Sequence, residues 1–326
     1  MPPHVATPDA LALPDLAAIV AARARIAPHV HRTPVLTSRS LDAAAGARLY
    51  FKCENFQKVG AFKARGASNA VFSLTGEEAA RGVVTHSSGN HGAALAYAAA
   101  RRGIRAHVVM PDNAPKTKQA NVRGFGADVR FCAPTPQARA AACGEVQRET
   151  GATLVHPFDD ARVIAGQGTA VLELLEEVPD LDIVIAPVGG GGLLSGTAIA
   201  AKGTRGSLRV LGAEPANADD AKRSLASGRV EPVSPLSTIA DGLRTPLAPR
   251  TLAALRAHVD AIGLASEEGI VAAMRLTWEK MKIVIEPSSA VPLAAILERT
   301  LDVAGARVGV ILSGGNVDLD RLPWQA

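Results

Sequence analysis

The sequence predicts an α/β fold of two lobes, with parallel-rich sheets flanked by helices. Short β-branched runs alternate with Ala- and Leu-rich stretches of helical period along almost the whole chain. At 326 residues the chain exceeds the roughly 250 that one hydrophobic core usually holds. With 48% apolar and only 20% charged residues it is too hydrophobic for a disordered chain.

Taken in order, the predicted strands are Val83–His86, Ala106–Met110, Ile183–Val188, Leu208–Ala213 and Val308–Leu312, each followed by a Gly/Pro/Asn/Ser loop and a segment of helical period. After the first strand, that segment is His91–Arg102. Such alternation places parallel strands under helices on both faces and puts ligands at the carboxyl ends of the strands. No linker marks a boundary, so one lobe inserted into the other fits the pattern.

Composition removes several function classes. The net charge of +4 is spread thinly, and 3% aromatic residues leave little to stack on bases, so nucleic acid is not an expected partner. Cys53, Cys132 and Cys143 form no C-x-x-C pair, and an odd number in a long chain suits the reduced thiols of a cytoplasmic protein. The opening segment lacks a basic region followed by an apolar one, and no stretch reaches the ~18 apolar residues of a membrane span. A soluble protein with no membrane partner is expected.

Four loops carry the chemistry. Gly189-Gly190-Gly191-Gly192, between the strand ending at Val188 and a helix near Leu193, lets several backbone N–H groups converge on a phosphate at a helix N-terminus. Leu194 and Ser195 break both registers of a dinucleotide fingerprint, and Thr197 stands where a P-loop needs Lys. A flexible turn of no chemical role is the alternative. Ser87-Ser88-Gly89-Asn90-His91-Gly92 opens a helix with more polar and small residues than capping requires, which suits a carboxylate. Lys63, one of nine lysines, lies among small residues near a helix start, where poor solvation would make it a Schiff-base nucleophile. Taken alone it reads sooner as a surface lysine. Ser313-Gly314-Gly315-Asn316 ends the last apolar strand with a hydroxyl, or is simply a turn. A reactive amine, a phosphate cradle and a carboxylate cradle together suggest pyridoxal 5′-phosphate acting on an amino acid.

From Arg32-Thr33-Pro34-Val35-Leu36 to Leu312-Ser313-Gly314-Gly315-Asn316-Val317-Asp318 the chain resembles the fold-type II pyridoxal-phosphate enzymes, tryptophan synthase β-like in fold. Within them it is most similar to the serine/threonine dehydratases, on the serine racemase and 3-hydroxyaspartate dehydratase branch. The resemblance implies a large cofactor-binding domain at 1–79 and 158–326, a small mobile domain at 80–157, and a homodimer. It implies that Lys63 bonds the cofactor and acts as catalytic base, with Ser88 as the second catalytic residue on the opposite face. Phe62, Asn90, the glycines 189–192, Leu193 and Ser313 would complete the cofactor site, Ser313 at the ring nitrogen and Asn90 at the ring 3′-oxygen. Ser87, Ser88, Asn90 and His91 would hold the substrate carboxylate, with Arg139 and Thr245 lining the distal pocket.

Gly212-Ala213-Glu214-Pro215-Ala216-Asn217-Ala218-Asp219-Asp220 resembles the divalent-cation loop of the branch. Glu214, Ala218 and Asp220 would supply hard oxygen ligands to Mg²⁺, Ca²⁺ or Mn²⁺; without the resemblance the segment reads as an acidic helix cap. Phe158 and Ala93 depart from the animal serine racemases, where Asn and Gln stand; the second departure speaks against nucleotide regulation. The end at Ala326 leaves no room for a regulatory domain, so isoleucine feedback is not expected.

The activity implied is an ammonia-lyase converting L-serine or L-threonine to a 2-oxo acid and ammonia, with serine racemisation as a further activity. The alternative within enzymes is 3-hydroxyaspartate dehydratase with aspartate racemisation. Outside enzymes, a non-catalytic pyridoxal-phosphate carrier would keep Lys63 and the glycines without needing the Ser87–His91 loop.

Overall fold

The computed structural model describes residues 12–87, 89–114, 116–234 and 237–325. Among these, ten strands run in chain order as β1 (Val35–Leu36), β2 (Arg48–Cys53), β3 (Val83–His86), β4 (Ala106–Pro111), β5 (Asp128–Cys132), β6 (Thr153–Leu154), β7 (Ile183–Pro187), β8 (Arg209–Pro215), β9 (Ala261–Ala265) and β10 (Arg307–Leu312). They form a larger sheet of order β1-β2-β10-β7-β8-β9 and a smaller one of order β5-β4-β3-β6. Every pairing is parallel except β1 against β2. The chain thus forms an α/β fold of parallel-rich sheets flanked by helices. All five predicted strands are present, with no end differing by more than two residues.

The local reasons are ordinary ones. β7 reads Ile-Val-Ile-Ala-Pro and is wholly buried, the continuous apolar run of a strand covered on both faces. The helix Asn90–Arg102 buries a run of alanines and Leu95 and stops at Gly103, whose φ of 73° accepts the left-handed conformation. The helix Ala161–Glu177 starts on Asp160, whose carboxylate accepts the Arg162 N–H at 2.8 Å. It is buried continuously from Val163 to Leu175, so it is a core helix rather than a surface one.

Three helices meet there at backbone distance. A Cβ on Gly166 would lie 2.6 Å from the Arg65 carbonyl oxygen and from Gly66 Cα, so the helix Lys63–Phe72 presses directly on Ala161–Glu177. On the same helix, a Cβ on Gly168 would meet the Gly196 carbonyl oxygen at 2.7 Å, which brings in the helix Gly192–Thr204. The predicted lysine loop and tetraglycine loop open these two outer helices. Their separation is therefore set by one shared neighbour.

A buried ion network joins the same elements. The Arg65 guanidinium pairs with both oxygens of Glu54 at 2.7 and 2.8 Å and with both of Glu173 at 2.7 and 2.8 Å. Lys52 Nζ donates to Glu173 and to the Thr33 carbonyl, each at 2.6 Å. Lys52, Glu54 and Arg65 are fully buried and Glu173 is 6% exposed. Two positive and two negative charges balance, and bidentate geometry satisfies most of their hydrogen-bonding capacity. Such a network adds little net stability, because desolvation offsets the attraction, but removing one member strands the rest. Glu173→Ala should lower stability by ~3–5 kcal/mol, seen as a lower urea midpoint at unchanged slope. A loss within the ~0.5 kcal/mol scatter of surface substitutions would refute this account of the network.

Candidate active site

The segment before Lys63 is stitched to the segment after β10. The Phe62 N–H donates to the Ser313 carbonyl at 2.9 Å, the Gly315 N–H donates to Gly60 O at 2.9 Å, and Ala61 bridges Gly314 antiparallel. Two loops far apart in sequence thereby become one wall. The turn leading into it is tight: Val59 has φ 57° and Gly60 φ 70°. A β-branched residue rarely adopts that conformation. The Asn316 side chain holds it, donating to Val59 O at 2.7 Å.

Lys63 is the first residue of its helix. Its Nζ donates to Pro157 O at 2.9 Å and lies 5.0 Å from the centre of the Phe62 ring. Withdrawal from solvent pushes the amine down to about 8, against the carboxylate of Glu286, which acts to raise it. Glu286 is buried, and no sequence pattern singled it out. It accepts from Asn90 Nδ2 at 3.0 and 3.2 Å and from the Asn316 N–H at 3.2 Å. Asn316 Nδ2 donates in turn to Asn90 Oδ1 at 2.9 Å, so both ends of the Asn90 amide are fixed.

Beyond β3, the Ser87 hydroxyl accepts the Gly89 N–H at 3.2 Å just before the helix Asn90–Arg102. Ser88 lies outside the described residues. His91 is buried, and its Nε2 lies 3.1 Å from the Val155 carbonyl. The carbonyl can only accept, so Nε2 carries the hydrogen and Nδ1, which has no partner, carries none. The His91 side chain is thus committed to Val155, and its backbone N–H is what remains for an anion. His156 is held similarly, its Nδ1 accepting the Asp159 N–H at 2.9 Å. Burial keeps His86, His91 and His156 below the usual imidazole range, His156 down to about 4. All three are neutral near pH 7.

The tetraglycine loop follows β7. A Cβ on Gly189 would strike Leu243 Cα at 2.8 Å, one on Gly190 the Phe158 ring, one on Gly191 Leu247 and Thr251 at 2.7 and 2.8 Å, and one on Gly192 Phe158 Cβ at 2.9 Å. The backbone has room only as glycine. Among the described residues none of these four N–H groups pairs with another backbone group. Leu193 packs into the core, so it offers the loop its backbone alone. Ser313 is buried, its hydroxyl 3.1 Å from that of Ser289. A cradle of amides bare of side chains, an amine of lowered pKa and a buried hydroxyl fit pyridoxal phosphate in donor type.

The outer candidates are less closely joined. Arg139, on the helix Pro136–Thr150, is half-buried, and its charge contributes to holding His86 neutral, after burial. Thr245 is exposed. A cleft of about 380 Å³ touches the site through Asn90 and Asn316; Val59, Ala93, Asn121 and Phe125 also line it, and among the described residues no charged side chain does. Elsewhere, Glu214 and Asp220 are both fully buried and Ala218 lies beside them in sequence, also buried. Glu214 accepts the Ala221 and Lys222 N–H groups at 2.8 and 3.0 Å. Neither Asp220 oxygen has a partner in hydrogen-bond geometry, though its own N–H and that of Leu247 approach it. Burial pushes Glu214 up to about 8 and Asp220 up to about 7. Among the described residues no three His, Cys, Asp or Glu side chains converge as a metal cluster.

A family model described as pyridoxal-phosphate dependent enzyme matches residues 26–314. The beta-hydroxyaspartate dehydratase of Paracoccus denitrificans (strain Pd 1222) is 51% identical over 312 residues, covering 96% of this chain and 99% of that protein. The serine racemase of Oryza sativa subsp. indica is 50% identical over 317 residues, covering 96% and 93%. Among solved structures, serine racemase from Dictyostelium discoideum is similar with a TM-score of 0.90 at 50% identity, covering 94% of this chain and 99% of that one. A pyridoxal 5'-phosphate-dependent aspartate racemase is similar with a TM-score of 0.89 at 39% identity, covering 95% and 98%.

The lowered amine makes a direct prediction. In cofactor-free protein, the rate of Lys63 acylation followed by mass spectrometry should rise with a midpoint near pH 8, the unprotonated amine being the reactive form. Glu286→Gln removes the charge that favours the ammonium, so the midpoint should fall further. A midpoint near the ordinary ~10.4 of lysine would contradict the desolvated amine.

Proposed function

We propose, for a chain that belongs to the pyridoxal-phosphate dependent enzyme family, an ammonia-lyase reaction converting L-serine or L-threonine to the 2-oxo acid and ammonia, with serine racemisation as a second outcome. The observation that carries this reading is the Lys63 amine, lowered to about 8 and set beside the Ser313 loop and the Asn90 helix start. Identities near 50% to a dehydratase and to serine racemases support it.

Lys63, Phe62, Asn90, the amides of Gly189 to Leu193 and Ser313 would hold the cofactor, with Ser313 at the ring nitrogen. When bound, pyridoxal phosphate draws electron density from the α-carbon of an amino acid, so that a weak base suffices to remove its proton. Lys63 is that base: an amine near 8 is partly unprotonated at neutral pH and still strong enough to accept. Ser87 and the backbone N–H groups of Asn90 and His91, at a helix N-terminus, would seat the α-carboxylate. Glu286 keeps Asn90 in register, and Phe62 and Phe158 exclude water from two sides. Ser88 would serve the opposite face of the α-carbon, which racemisation needs as a second acid/base. Residues 80–157, carrying Arg139, would close over the substrate, and the working unit would be a cytoplasmic homodimer.

A second reading, 3-hydroxyaspartate dehydratase with aspartate racemisation, is favoured by Arg139. A guanidinium near His86 suits a distal carboxylate bound bidentately. The similarity to the Paracoccus enzyme supports it equally.

Purified protein incubated with L-serine, D-serine, L-threonine and the 3-hydroxyaspartate isomers should release 2-oxo acid from at least one, and Lys63→Ala should abolish this. Ser88→Ala should reduce racemisation and action on D-substrates more than elimination from L-substrates; equal losses would remove Ser88 from its role. Cofactor binding with no turnover of any substrate would leave a carrier instead.

The Glu214 and Asp220 pair would bind a divalent cation, with the Ala218 carbonyl as a third oxygen. Its support is the pair of buried carboxylates, in which neither Asp220 oxygen has a partner in hydrogen-bond geometry. Mg²⁺, Ca²⁺ or Mn²⁺ should raise the melting temperature of the wild type, and chelation should reverse it. Asp220→Asn should remove the response; an Asp220→Asn variant stabilised as strongly as the wild type would rule the site out.

A further inference from the structure

We infer that Ser288 is a positioning residue for the anion cradle: its hydroxyl holds the turn at Gly242 in place as the backing of Gly189. The inference rests on the placement of the cofactor phosphate at Gly189 to Leu193 proposed above.

Ser288 is the second residue of the helix Pro287–Leu297 and is buried. Its hydroxyl accepts the Gly242 N–H at 3.1 Å. Gly242 is the middle residue of the short turn Asp241–Leu243 and is exposed, so without that hydroxyl its N–H would turn to solvent. The fit has no slack, since a Cβ on Gly242 would lie 2.9 Å from the Ser288 oxygen.

The other side of the turn meets the cradle. A Cβ on Gly189 would lie 2.8 Å from Leu243 Cα and 3.2 Å from the Gly242 carbonyl oxygen, so the Gly242–Leu243 peptide stands backbone to backbone against Gly189. Within the turn, the Leu243 N–H donates to Ala240 O at 2.9 Å and the Asp241 N–H to Ile239 O at 2.8 Å. A piece braced in this way shifts as a unit, and the hydroxyl beneath Gly242 sets where its Leu243 face stands. Gly189 has no side chain with which to fix itself, so its backing decides how its amide is aimed. Aim matters because an N–H bond to an acceptor weakens steeply once it departs from linear.

The neighbours of Ser288 serve other parts of the site. Glu286 fixes Asn90, and the Ser289 hydroxyl donates to Gly314 O at 2.6 Å, beside Ser313. One stretch of chain thus supports three walls through three separate contacts, and the wall behind Ser288 is the one at the phosphate. Removing its hydroxyl should be felt by the phosphate and not by the ring.

The test titrates the cofactor-free full chain, by equilibrium dialysis, with pyridoxal phosphate and with pyridoxal, which lacks the phosphate. The phosphorus resonance of bound pyridoxal phosphate is recorded alongside. In Ser288→Ala the affinity for pyridoxal phosphate should fall roughly three- to tenfold, the span of one net hydrogen bond. The affinity for pyridoxal should stay unchanged, and the phosphorus resonance should move. Ser288→Cys, a weaker acceptor of similar shape, should fall between, and it decides the matter should Ser288→Ala not fold. Gly242→Ala, whose methyl would press on the same hydroxyl from the opposite side, should reproduce the phosphate-selective loss. Equal losses for both ligands in the Ser288 variants, or no loss for either, overturn the inference. An affinity ratio and a resonance that shift in Gly189→Ala but not in the Ser288 variants leave the cradle standing without Ser288. If neither moves in Gly189→Ala, the phosphate is not at this loop, and the inference goes with it.

Discussion

The helices that begin at Lys63 and at Gly192 are not spaced by flexible side chains; both rest backbone to backbone on the helix Ala161–Glu177. Gly66 against Gly166, and Gly168 against Gly196, leave no room for even a methyl group between the axes. An amine and an anion cradle proposed to hold two ends of one small cofactor need a fixed separation. Side-chain packing tolerates shifts of several tenths of an ångström, but glycine contacts are closer to hard stops. The ion network of Arg65, Glu54, Glu173 and Lys52 fastens the same junction with directional bonds. Arg65 lies two residues beyond Lys63, so the charge network and the reactive amine share one turn of helix.

The electrostatic design follows from that rigid frame. Lys63 sits near His91 and His156, which like His86 are kept neutral mainly by burial, so none competes as a cation. Glu286 stands opposite, moderating how far the amine falls. The result is a base near its working range rather than one held fully protonated or fully stripped. Asn90 is gripped by Glu286 and Asn316 together, which settles the orientation of its amide in advance.

Much of this was readable in the residues. Glycine loops at strand ends are legible because the missing side chain is itself the signal, and the rarity of lysine directed attention to Lys63. Glu286 and Ser289 were not legible, because Glu-Pro-Ser-Ser reads as an unremarked helix start, an acid followed by proline at the first turn. Their meaning appears only when the chain returns nearly two hundred residues after Asn90 to meet it. β2 was missed because Lys52 interrupts its apolar pattern, although that lysine points into the ion network and is fully buried. β5 was missed for the opposite reason, since as an edge strand it buries none of its five residues fully. His91 lies in the first turn of the helix Asn90–Arg102, and its ring is spent on Val155 rather than offered to an anion.

The tetraglycine loop also bears on how such a chain can change over evolutionary time. Every direction in which one of its residues could grow is already filled, by Phe158, Leu243, Leu247 or Thr251. Random substitution there meets a clash before it meets selection for a new chemistry. The helix bearing Arg139 lies against the smaller sheet and buries Ala142, Cys143 and Val146, but its other described positions are exposed or half-buried, where replacement is sterically cheap. The glycine loop is thus frozen by geometry and the Arg139 helix left freer to drift. A lineage built on this scaffold would be expected to exchange one amino-acid substrate for another far more readily than to exchange its cofactor.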